Sequence, residues 1–275
     1  MTEPAGASVT VLVTSGNDGP FVAAAVDGAL AQPAVAQVLV LDDGSVDDGP
    51  AALAHVSDPR VRIVCQPRRG VAHLWNLGLG LARTPWVVLL GGRDVLRPGC
   101  VAAQLAALEA EPDAVAVLVA ARCVDASGAA VASAPVPEAS LRAVLAGDVP
   151  ALSGVLLDRA RAVEAGGFDP SLRHALAQDL WLRLLLRGPA VVLADELVDV
   201  ALRPGAWRVG GEPAGEDAER ARVLSRALTG TRLEELLARL VPAETRAPAA
   251  EAAACLELAR LVVGTGPRAA LGLAA

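Results

Sequence analysis

The chain has 275 residues, of which 53% are hydrophobic and 20% charged, a composition that fits one α/β domain of ordinary size with an appendage. The net charge of −7 and the aromatic content of 2% exclude a nucleic-acid-binding protein, because such proteins need a basic surface and usually aromatic stacking platforms. No run of about 18 apolar residues occurs and the N-terminus lacks a signal-peptide pattern, so we expect a cytoplasmic protein without a membrane span.

Strand and helix patterns alternate over the first 125 residues. The predicted strands are 8–15, 36–44, 61–66, 86–90 and 114–125, and the predicted helices are 21–32, 49–56, 71–83 and 98–111. Near-continuous apolar strands separated by helices are typical of a parallel sheet that is covered on both faces. The sequence therefore predicts an α/β fold of the Rossmann type, with a mostly parallel sheet and helices on both faces.

The second half of the chain is less regular. Its predicted elements are an edge strand in DASGAAVASAP, a helix at 140–148, a strand at 154–159 and a loop at 166–172. A helix is predicted at 179–188, with Asp179 as its N-cap and Gly188 just beyond its end. Residues 190–202 are predicted to form one strand or two.

A change of composition near Gly210 divides the chain into a domain at 1–209 and a helical extension at 210–275. Helices in the extension are predicted at 215–229, 231–241 and 248–263. They are rich in Ala and Glu and have no basic face. This pattern favours packing on the domain or on a protein partner over contact with a membrane.

Three loops are predicted to form a ligand site. In an open parallel sheet, ligands bind beyond the carboxyl ends of the strands, where the strand order reverses. For the strand order 3-2-1-4, this place lies between the first strand and the fourth. The loops at 14–18, 41–45 and 91–94 would meet there.

Five stretches of the sequence, in this order, resemble motifs of family 2 glycosyltransferases of the GT-A fold. They are VTVLVTSGND, VLVLDDGSVDDG, PRVRIVCQPRRGVAHLWNLGLGLARTPWVVLL, GVLLDRARAVEAGGFDPSL and DLWLRLLLRG. The resemblance covers residues 8–208 and leaves the C-terminal helices uncovered. It implies a GT-A-like fold and the transfer of a sugar from a UDP-, GDP- or dTDP-sugar to the hydroxyl of a glycan or small-molecule acceptor.

The resemblance also implies where the nucleotide is held. Thr14, Ser15 and Asn17 correspond to the family's nucleotide loop, and Asp42 and Asp43 to the residues that hold the base and the ribose. An aspartate can accept a hydrogen bond from a ring N–H or from a ribose hydroxyl. The alternative interpretation of D-D-G-S is a plain turn with an Asx hydrogen bond.

A divalent metal, Mn²⁺ or Mg²⁺, is the family's usual partner of the diphosphate. The metal-binding D-A-D-D sequence of the family corresponds here to Gly91, Gly92, Arg93 and Asp94. One Asp beside an Arg is a poor metal site, because hard divalent cations take several oxygen ligands. The alternative is a metal-free site in which Arg93 faces the diphosphate, while the two glycines let the backbone approach the phosphates. Arg203 either faces the diphosphate as well or is a surface charge.

The family's catalytic base corresponds to Ala177, and an arginine that contacts the nucleotide corresponds to Trp75. Asp179 lies two positions after the base, which is a turn of about 200° along a helix. Its alternative role is a helix cap that pairs with Arg183. His174 is a second candidate base because imidazole titrates near neutral pH, although a single loop histidine is often merely exposed.

Three hypotheses follow from the sequence. The protein is a divergent but active glycosyltransferase, or it is a pseudoenzyme that binds a nucleotide or a glycan or supports an active partner. In the third hypothesis it is an interaction module whose C-terminal helices provide the contact surface. The resemblance favours the glycosyltransferase class, and the replaced metal and base residues favour reduced, metal-independent or absent activity.

Overall fold

The computed structural model describes residues 9–47, 52, 53, 56–202 and 216–231, together with the single residues 236, 240 and 254. Its strands are β1 Val9–Ser15, β2 Val35–Asp42, β3 Val61–Cys65, β4 Trp86–Gly91, β5 Val95–Leu96, β6 Ala116–Val124, β7 Ala130–Ala134, β8 Leu156–Asp158 and β9 Ala190–Ala201. Its helices are α1 Gly19–Leu30, α2 Val71–Leu81, α3 Cys100–Ala110, α4 Leu141–Ala146, α5 Arg159–Glu164, α6 Leu176–Leu185 and α7 Glu216–Gly230.

The strands form one mixed, mostly parallel sheet. Their order is β3-β2-β1-β4-β8-β6-β9-β5, with β7 paired to β6. Strands β3, β2, β1 and β4 are parallel to one another, and β8 is antiparallel to both β4 and β6. The predicted α/β class and the predicted order 3-2-1-4 are therefore confirmed. The carboxyl ends of the first four strands meet at one edge of the sheet.

Helices cover both faces of the sheet, as the apolar strands predict. In β1, Leu12 faces the layer that contains α2 and α6, whereas Val11 and Val13 face the layer that contains α1 and α3. This alternation is the two-residue period of a β-strand. The first layer includes Leu39, Leu74, Leu79, Leu89, Leu180 and Trp181, and the second includes Val22, Val26, Val38, Leu90, Cys100 and Val101. A slip of one residue in β1 would bring both layers out of register.

The structure contains two short elements that the sequence does not predict, β5 and α5. Strand β5 has 2 residues and helix α5 has 6, too few to produce a periodic apolar pattern. The region predicted as one strand or two is the single strand β9, which pairs with β6 along its length. Its pairing register shifts beside Ala120, so the strand is continuous but irregular.

The predicted helix at 179–188 is wrong at both ends. Helix α6 spans Leu176–Leu185, with Ala175 as its N-cap residue. Asp179 is therefore not the N-cap but lies inside the helix. Gly188 is likewise not at the position just after the helix, since Leu186 is the C-cap.

The turn that leads into α6 is held by a distant part of the chain. The carboxylate of Glu219, on α7, accepts hydrogen bonds from the backbone N–H groups of Arg173, His174 and Ala175 over 2.8 to 3.1 Å. Of these three groups, only the N–H of Ala175, the N-cap residue, belongs to the helix start; the other two belong to the turn before it. Because Glu219 lies about 45 residues away in sequence, no local pattern could reveal this contact.

Helix α7 confirms the predicted helix at 215–229. Its Val223 and Leu224 are buried in the same layer as α6, so this helix is part of the core. Some predictions lie outside the described residues and stay predictions. They are the domain boundary at 209–210 and most of the predicted helices at 49–56, 231–241 and 248–263. Among the helices that the structure describes, none is long and apolar enough to span a membrane.

Candidate functional site

Three loops meet at the carboxyl edge of the parallel strands, where the sequence predicts the ligand site. Ser15, the last residue of β1, is the register partner of Asp42 in β2. On the other side of β1, Thr14 is the register partner of Gly91, the last residue of β4. The structure therefore brings the three predicted loops together.

Asn17 fastens the loop after β1 to the loop after β2. Its φ of 61° is a left-handed backbone conformation that asparagine tolerates better than most residues. Its backbone N–H donates to Ser45 Oγ over 2.9 Å, and its side-chain Oδ1 accepts from the N–H of Val46 over 2.9 Å. This predicted nucleotide-loop residue thus fixes the position of one loop against the other.

The two aspartates of D-D-G-S both accept hydrogen bonds from neighbouring groups. Asp42 is 4% exposed and accepts from the N–H of Ser45 over 3.0 Å and from the Ser45 hydroxyl. Asp43 accepts from the N–H of Arg69 over 2.7 Å and from that of Gly70 over 3.0 Å, just before α2 begins. The Asx hydrogen bond of a plain turn is therefore present at Asp42, and Asp43 attaches the loop before α2 to the same edge.

Gly92 lets the ends of β1 and β4 approach each other. Its N–H donates to the backbone oxygen of Thr14 over 2.7 Å, and a Cβ atom at position 92 would lie 2.7 Å from that oxygen. Because the obstacle is backbone, a side chain there would require a strand to move. A Cβ atom on Gly91 would instead lie 2.8 Å from Oδ2 of Asp94, the end of a side chain.

Arg93 folds back over the start of α1. Its Cζ atom lies 3.7 Å from the centroid of the Phe21 ring, which is a cation–π contact. Its Nη1 lies 3.7 Å from Oδ1 of Asp18, and its side chain is 24% exposed. Its Nε is buried and has no hydrogen-bond partner among the described residues. The sequence assigns no individual role to Asp18 or Phe21, although Asp18 belongs to the loop at 14–18 that is predicted to meet the loop at 91–94.

Asp94 connects the loop after β4 to two other segments of the chain. Its Oδ2 accepts from the Ser153 hydroxyl over 2.6 Å, and its Oδ1 accepts from the N–H of Ala201 over 3.1 Å. Ser153 Oγ in turn accepts from the N–H of Gly91 over 3.3 Å. Within the part of the chain that the structure describes, no group of three or more His, Cys, Asp and Glu side chains could hold a metal ion.

Helix α2 is attached to the glycine-rich loop that follows α5. Asn76 donates from Nδ2 to the backbone oxygen of Phe168 over 2.7 Å, and its Oδ1 accepts from the N–H of Phe168 over 2.8 Å. Trp75 is 4% exposed and packs on the Phe168 ring, with the ring centroids 6.2 Å apart. The tryptophan at the position of the family's arginine therefore belongs to the core.

Asp179 is a buried carboxylate held by two arginines. It is 2% exposed. Arg183, one turn further along α6, donates to Oδ2 from Nη2 and, over 3.0 Å, from Nε, which confirms the predicted ion pair. Arg226 of α7 donates to the other oxygen, Oδ1. This carboxylate therefore anchors α7 on α6.

The start of α6 carries His174, the remaining candidate for proton transfer, and Ala177, the residue at the family's base position. The side chain of His174 is exposed, and Ala177, at the family's base position, is partly buried. The nearby Glu219 carboxylate lies at the positive end of the helix. Burial raises the pKa of Glu219, but the three backbone N–H donors and the charge of His174 lower that pKa more, so it lies below its usual range. Arg203 lies outside the described residues.

A family model described as glycosyl transferase family 2 matches residues 10–152. The chain belongs to this family. The matched region runs from β1 to the segment just before β8. It contains the three loops at the carboxyl edge of the parallel strands, which together form the crevice of the candidate site.

This family 2 chain is similar to two proteins of Rhizobium meliloti (strain 1021). It is 40% identical over 92 residues to the succinoglycan biosynthesis protein ExoO and 34% identical over 103 residues to the succinoglycan biosynthesis protein ExoU. The alignments cover 33% and 36% of this chain. They cover 26% and 30% of the relatives, so the chain matches less than a third of the length of each.

Solved structures share the fold. Staphylococcus aureus TarS 1–349 in complex with UDP-GlcNAc has a TM-score of 0.65 at 16% identity, covering 94% of this chain and 72% of that one. The mannosyltransferase PcManGT from Pyrobaculum calidifontis, in complex with GDP-Man and Mn²⁺, has a TM-score of 0.59 at 20% identity, covering 94% and 70%. The GT-A-like fold expected from the sequence motifs is thereby confirmed.

Proposed function

We propose that the chain is a family 2 glycosyltransferase that binds a nucleotide-diphospho-sugar and neutralises the diphosphate with Arg93 instead of a divalent metal. The observation that carries this proposal is the guanidinium of Arg93, which lies over the Phe21 ring and beside Asp18 at the start of α1, with Nε unbonded among the described residues. Family membership supports the reaction class.

The residues of the loop after β4 do not fit a divalent cation. Gly91 and Gly92 offer no side-chain oxygen, and Arg93 adds a positive charge. Asp94 is the single carboxylate of this loop, and hydrogen bonds from Ser153 and Ala201 hold it in place. Since Mg²⁺ and Ca²⁺ take about six or more oxygen ligands, we assign no step of the reaction to a metal.

A guanidinium can take over the electrostatic part of the metal's role. Its planar fork of N–H donors forms two parallel hydrogen bonds to a phosphate, and it keeps its charge at any physiological pH. When the bond between the sugar and the diphosphate breaks, negative charge grows on the leaving oxygen. A positioned cation stabilises that charge in the transition state.

The nucleotide itself is proposed to lie beside the ends of β1 and β2. Asp42 and Asp43 would accept hydrogen bonds from the base and the ribose, and Thr14 and Asn17 would line the same loop. Carboxylate oxygens have several acceptor sites, so the hydrogen bonds seen at both aspartates leave capacity for a ligand. The donor class is a UDP-, GDP- or dTDP-sugar, and the acceptor is a hydroxyl of a glycan or small molecule.

We infer that sugar transfer is slow. The acceptor hydroxyl must lose a proton, and a positioned base contributes roughly 100- to 10,000-fold to such a step. Ala177 has no proton-accepting group, and the carboxylate of Asp179 is bonded to two guanidinium groups. His174 is exposed at the same helix start and is the remaining candidate among the described residues.

Ala177 also supports a second candidate function, a donor-binding protein that no longer transfers sugar. The two functions differ in product formation, because a slow enzyme releases nucleoside diphosphate and a binding module does not. A coupled assay of diphosphate release, with His174→Gln as the variant, separates them. Release that falls with this variant supports transfer through His174, whereas no release with any donor that binds supports the binding module.

Calorimetric titration with UDP, GDP and dTDP, in EDTA and in Mn²⁺, tests the proposed donor site. We expect one nucleotide to bind in EDTA, and Arg93→Ala to weaken it about tenfold or more, the worth of a charged hydrogen bond. Arg62→Ala is the control, because Arg62 is an exposed arginine on β3 and its loss changes the net charge equally. Equal affinity of Arg93→Ala and wild type, or binding that requires Mn²⁺, would contradict the proposal.

A further inference from the structure

The ion pair between Arg93 and Asp18 is incomplete. Its closest approach, from Nη1 to Oδ1, is 3.7 Å, which exceeds the length of an N–H···O hydrogen bond. A complete pair occurs elsewhere in the same structure, where Arg122 donates to both oxygens of Asp199 over 2.7 and 2.6 Å. Asp18 therefore attracts the guanidinium of Arg93 but does not accept a hydrogen bond from its N–H groups.

Two buried donors at these strand ends have no acceptor among the described residues. One is Nε of Arg93, and the other is the hydroxyl of Ser15. A buried donor without a partner costs about 1–3 kcal/mol, so a ligand rich in acceptor oxygens is favoured here. Ser15 is the last residue of β1, and its neighbour Thr14 is paired in register with Gly91, the last residue of β4. Arg93 follows Gly91 by two residues. Both donors therefore belong to residues at the ends of these two strands.

The Phe21 ring holds the guanidinium from the other side. The 3.7 Å distance from Cζ to the ring centroid places the cation over the ring. Such a contact fixes a position but makes no hydrogen bond, so it leaves the N–H groups of the fork available. Phe21 lies in the first turn of α1 and is partly exposed, at the rim of the crevice.

We propose that Asp18 and Phe21 hold Arg93 in a resting position. When the ligand binds, the guanidinium leaves this position and forms hydrogen bonds with the diphosphate. The inference rests on the proposed function, because it concerns the same arginine. Asp18 and the diphosphate are anions that compete for one cation. Asp18 therefore lowers the affinity for the donor, and it does so through Arg93.

The competition has a measurable size. If Arg93 occupies the resting position for most of the time, only a fraction of the protein has the arginine available to the ligand. The apparent affinity is then the intrinsic affinity multiplied by that fraction. For a partly exposed ion pair this fraction corresponds to about a threefold change in affinity. Removing the charge of Asp18 should therefore raise the affinity by this factor. In a protein that lacks Arg93, removing the same charge should leave the affinity unchanged.

Inorganic pyrophosphate is the probe, because it reports on diphosphate binding whatever the nucleotide base. It is titrated in EDTA into the full chain as wild type, Asp18→Asn, Arg93→Ala and the double variant. Asn keeps the size of Asp18 and an oxygen that can accept the hydrogen bond from the N–H of Gly16. Arg62→Ala serves again as the control for lost positive charge.

We expect Asp18→Asn to bind pyrophosphate about threefold more tightly than wild type. In the Arg93→Ala background the same substitution should have no effect, since the two residues act as one unit in a double-mutant cycle. Phe21→Leu is a second variant in case Asp18→Asn does not fold, and it should also tighten binding when Arg93 is present and not when it is absent.

The possible failures are distinct. The resting position would be overturned if both Asp18→Asn and Phe21→Leu bound pyrophosphate as tightly as wild type or more weakly. If Arg93→Ala still bound it more weakly than wild type, the proposed donor site would remain intact. A gain in affinity that persists without Arg93 would overturn it as well, because Asp18 would then repel the anion directly. Equal binding by Arg93→Ala and wild type would remove both proposals.

Discussion

Ser153 donates a hydrogen bond of 2.6 Å to Asp94, the last residue of the G-G-R-D sequence. The same carboxylate accepts from the N–H of Ala201, so it joins the loop after β4 to the end of β9. A carboxylate in this position maintains the shape of the crevice. Its place in the sequence, where the family has a metal ligand, does not by itself reveal this structural role.

Asp94→Ala should destabilise the fold. The substitution removes two hydrogen bonds and leaves the Ala201 N–H without its acceptor, which costs about 1–3 kcal/mol. At roughly 2–4 °C per kcal/mol for a chain of this size, the melting temperature should fall by several degrees. Asp195→Ala, at an exposed aspartate on β9, should change it little. Equal melting temperatures for the two variants would show that Asp94 does not hold these segments together.

Gly92→Ala should be destabilising for a different reason. Its Cβ atom would lie 2.7 Å from the backbone oxygen of Thr14, so β1 and β4 would have to move apart. We expect a loss of about 1–3 kcal/mol in denaturant unfolding. Gly80→Ala is the matched control, because nothing among the described residues lies within 4 Å of its Cβ position, and alanine should stabilise α2 by about 0.5–1 kcal/mol. Effects of the same sign at both glycines would contradict the close approach.

Arg226→Ala should lower stability in a pH-dependent way. Burial raises the pKa of Asp169, but the hydrogen bonds from Arg226 and Ser171 outweigh it and lower that pKa to about 2. A depressed carboxyl pKa adds stability that is present above about pH 4 and is lost as the pH falls towards 2. The difference in unfolding free energy between wild type and variant should therefore shrink as the pH falls through this window.

Chemical unfolding at a series of pH values measures that difference. Arg222→Ala, at an exposed arginine on the same helix, is the control and should show a small difference at every pH. A deficit of Arg226→Ala that stays constant between pH 5 and about 2 would mean that the pair with Asp169 contributes little.

Gly91→Asp combined with Arg93→Asp should create affinity for Mn²⁺. A Cβ atom at position 91 points at the carboxylate of Asp94, so the new side chain would place a second carboxylate beside it. Several carboxylate oxygens are what a hard divalent cation requires. The pair Gly91→Asn and Arg93→Asn has the same size without the charge and should not bind Mn²⁺. Calorimetry that detects no Mn²⁺ binding to the aspartate variant would mean that the loop is not aligned with the family's metal-binding sequence.

The fold of the first half could be predicted from the sequence because its signals are local. Apolar strands and helices alternate, and the order 3-2-1-4 then places the loops after the first, second and fourth strands at one edge. The Asx bond at Asp42 is also a local signal, since Ser45 lies three residues away. Helix α7 was likewise predicted from its own amphipathic pattern.

The rest depends on contacts between distant residues. Helix α6 begins at Leu176, after a turn that Glu219 of α7 holds, whereas the sequence predicts Asp179 as its N-cap. Arg93 could be identified as a candidate cation, but its contacts with Asp18 and Phe21 join segments about 70 residues apart. Asn76 and Phe168 are separated by 92 residues. Such pairs carry no periodic signal, so they became visible when the fold was known.

Thermal unfolding with a panel of UDP-, GDP- and dTDP-sugars, each in EDTA and in Mn²⁺, tests the metal-free donor site most directly. A ligand at about 100 times its Kd adds roughly 2.7 kcal/mol, or several degrees. We predict that one class of donor raises the melting temperature in EDTA, that Mn²⁺ adds nothing, and that Arg93→Ala loses the shift. A shift that appears with Mn²⁺ and not with EDTA, or no shift with any donor, would contradict an arginine-based donor site.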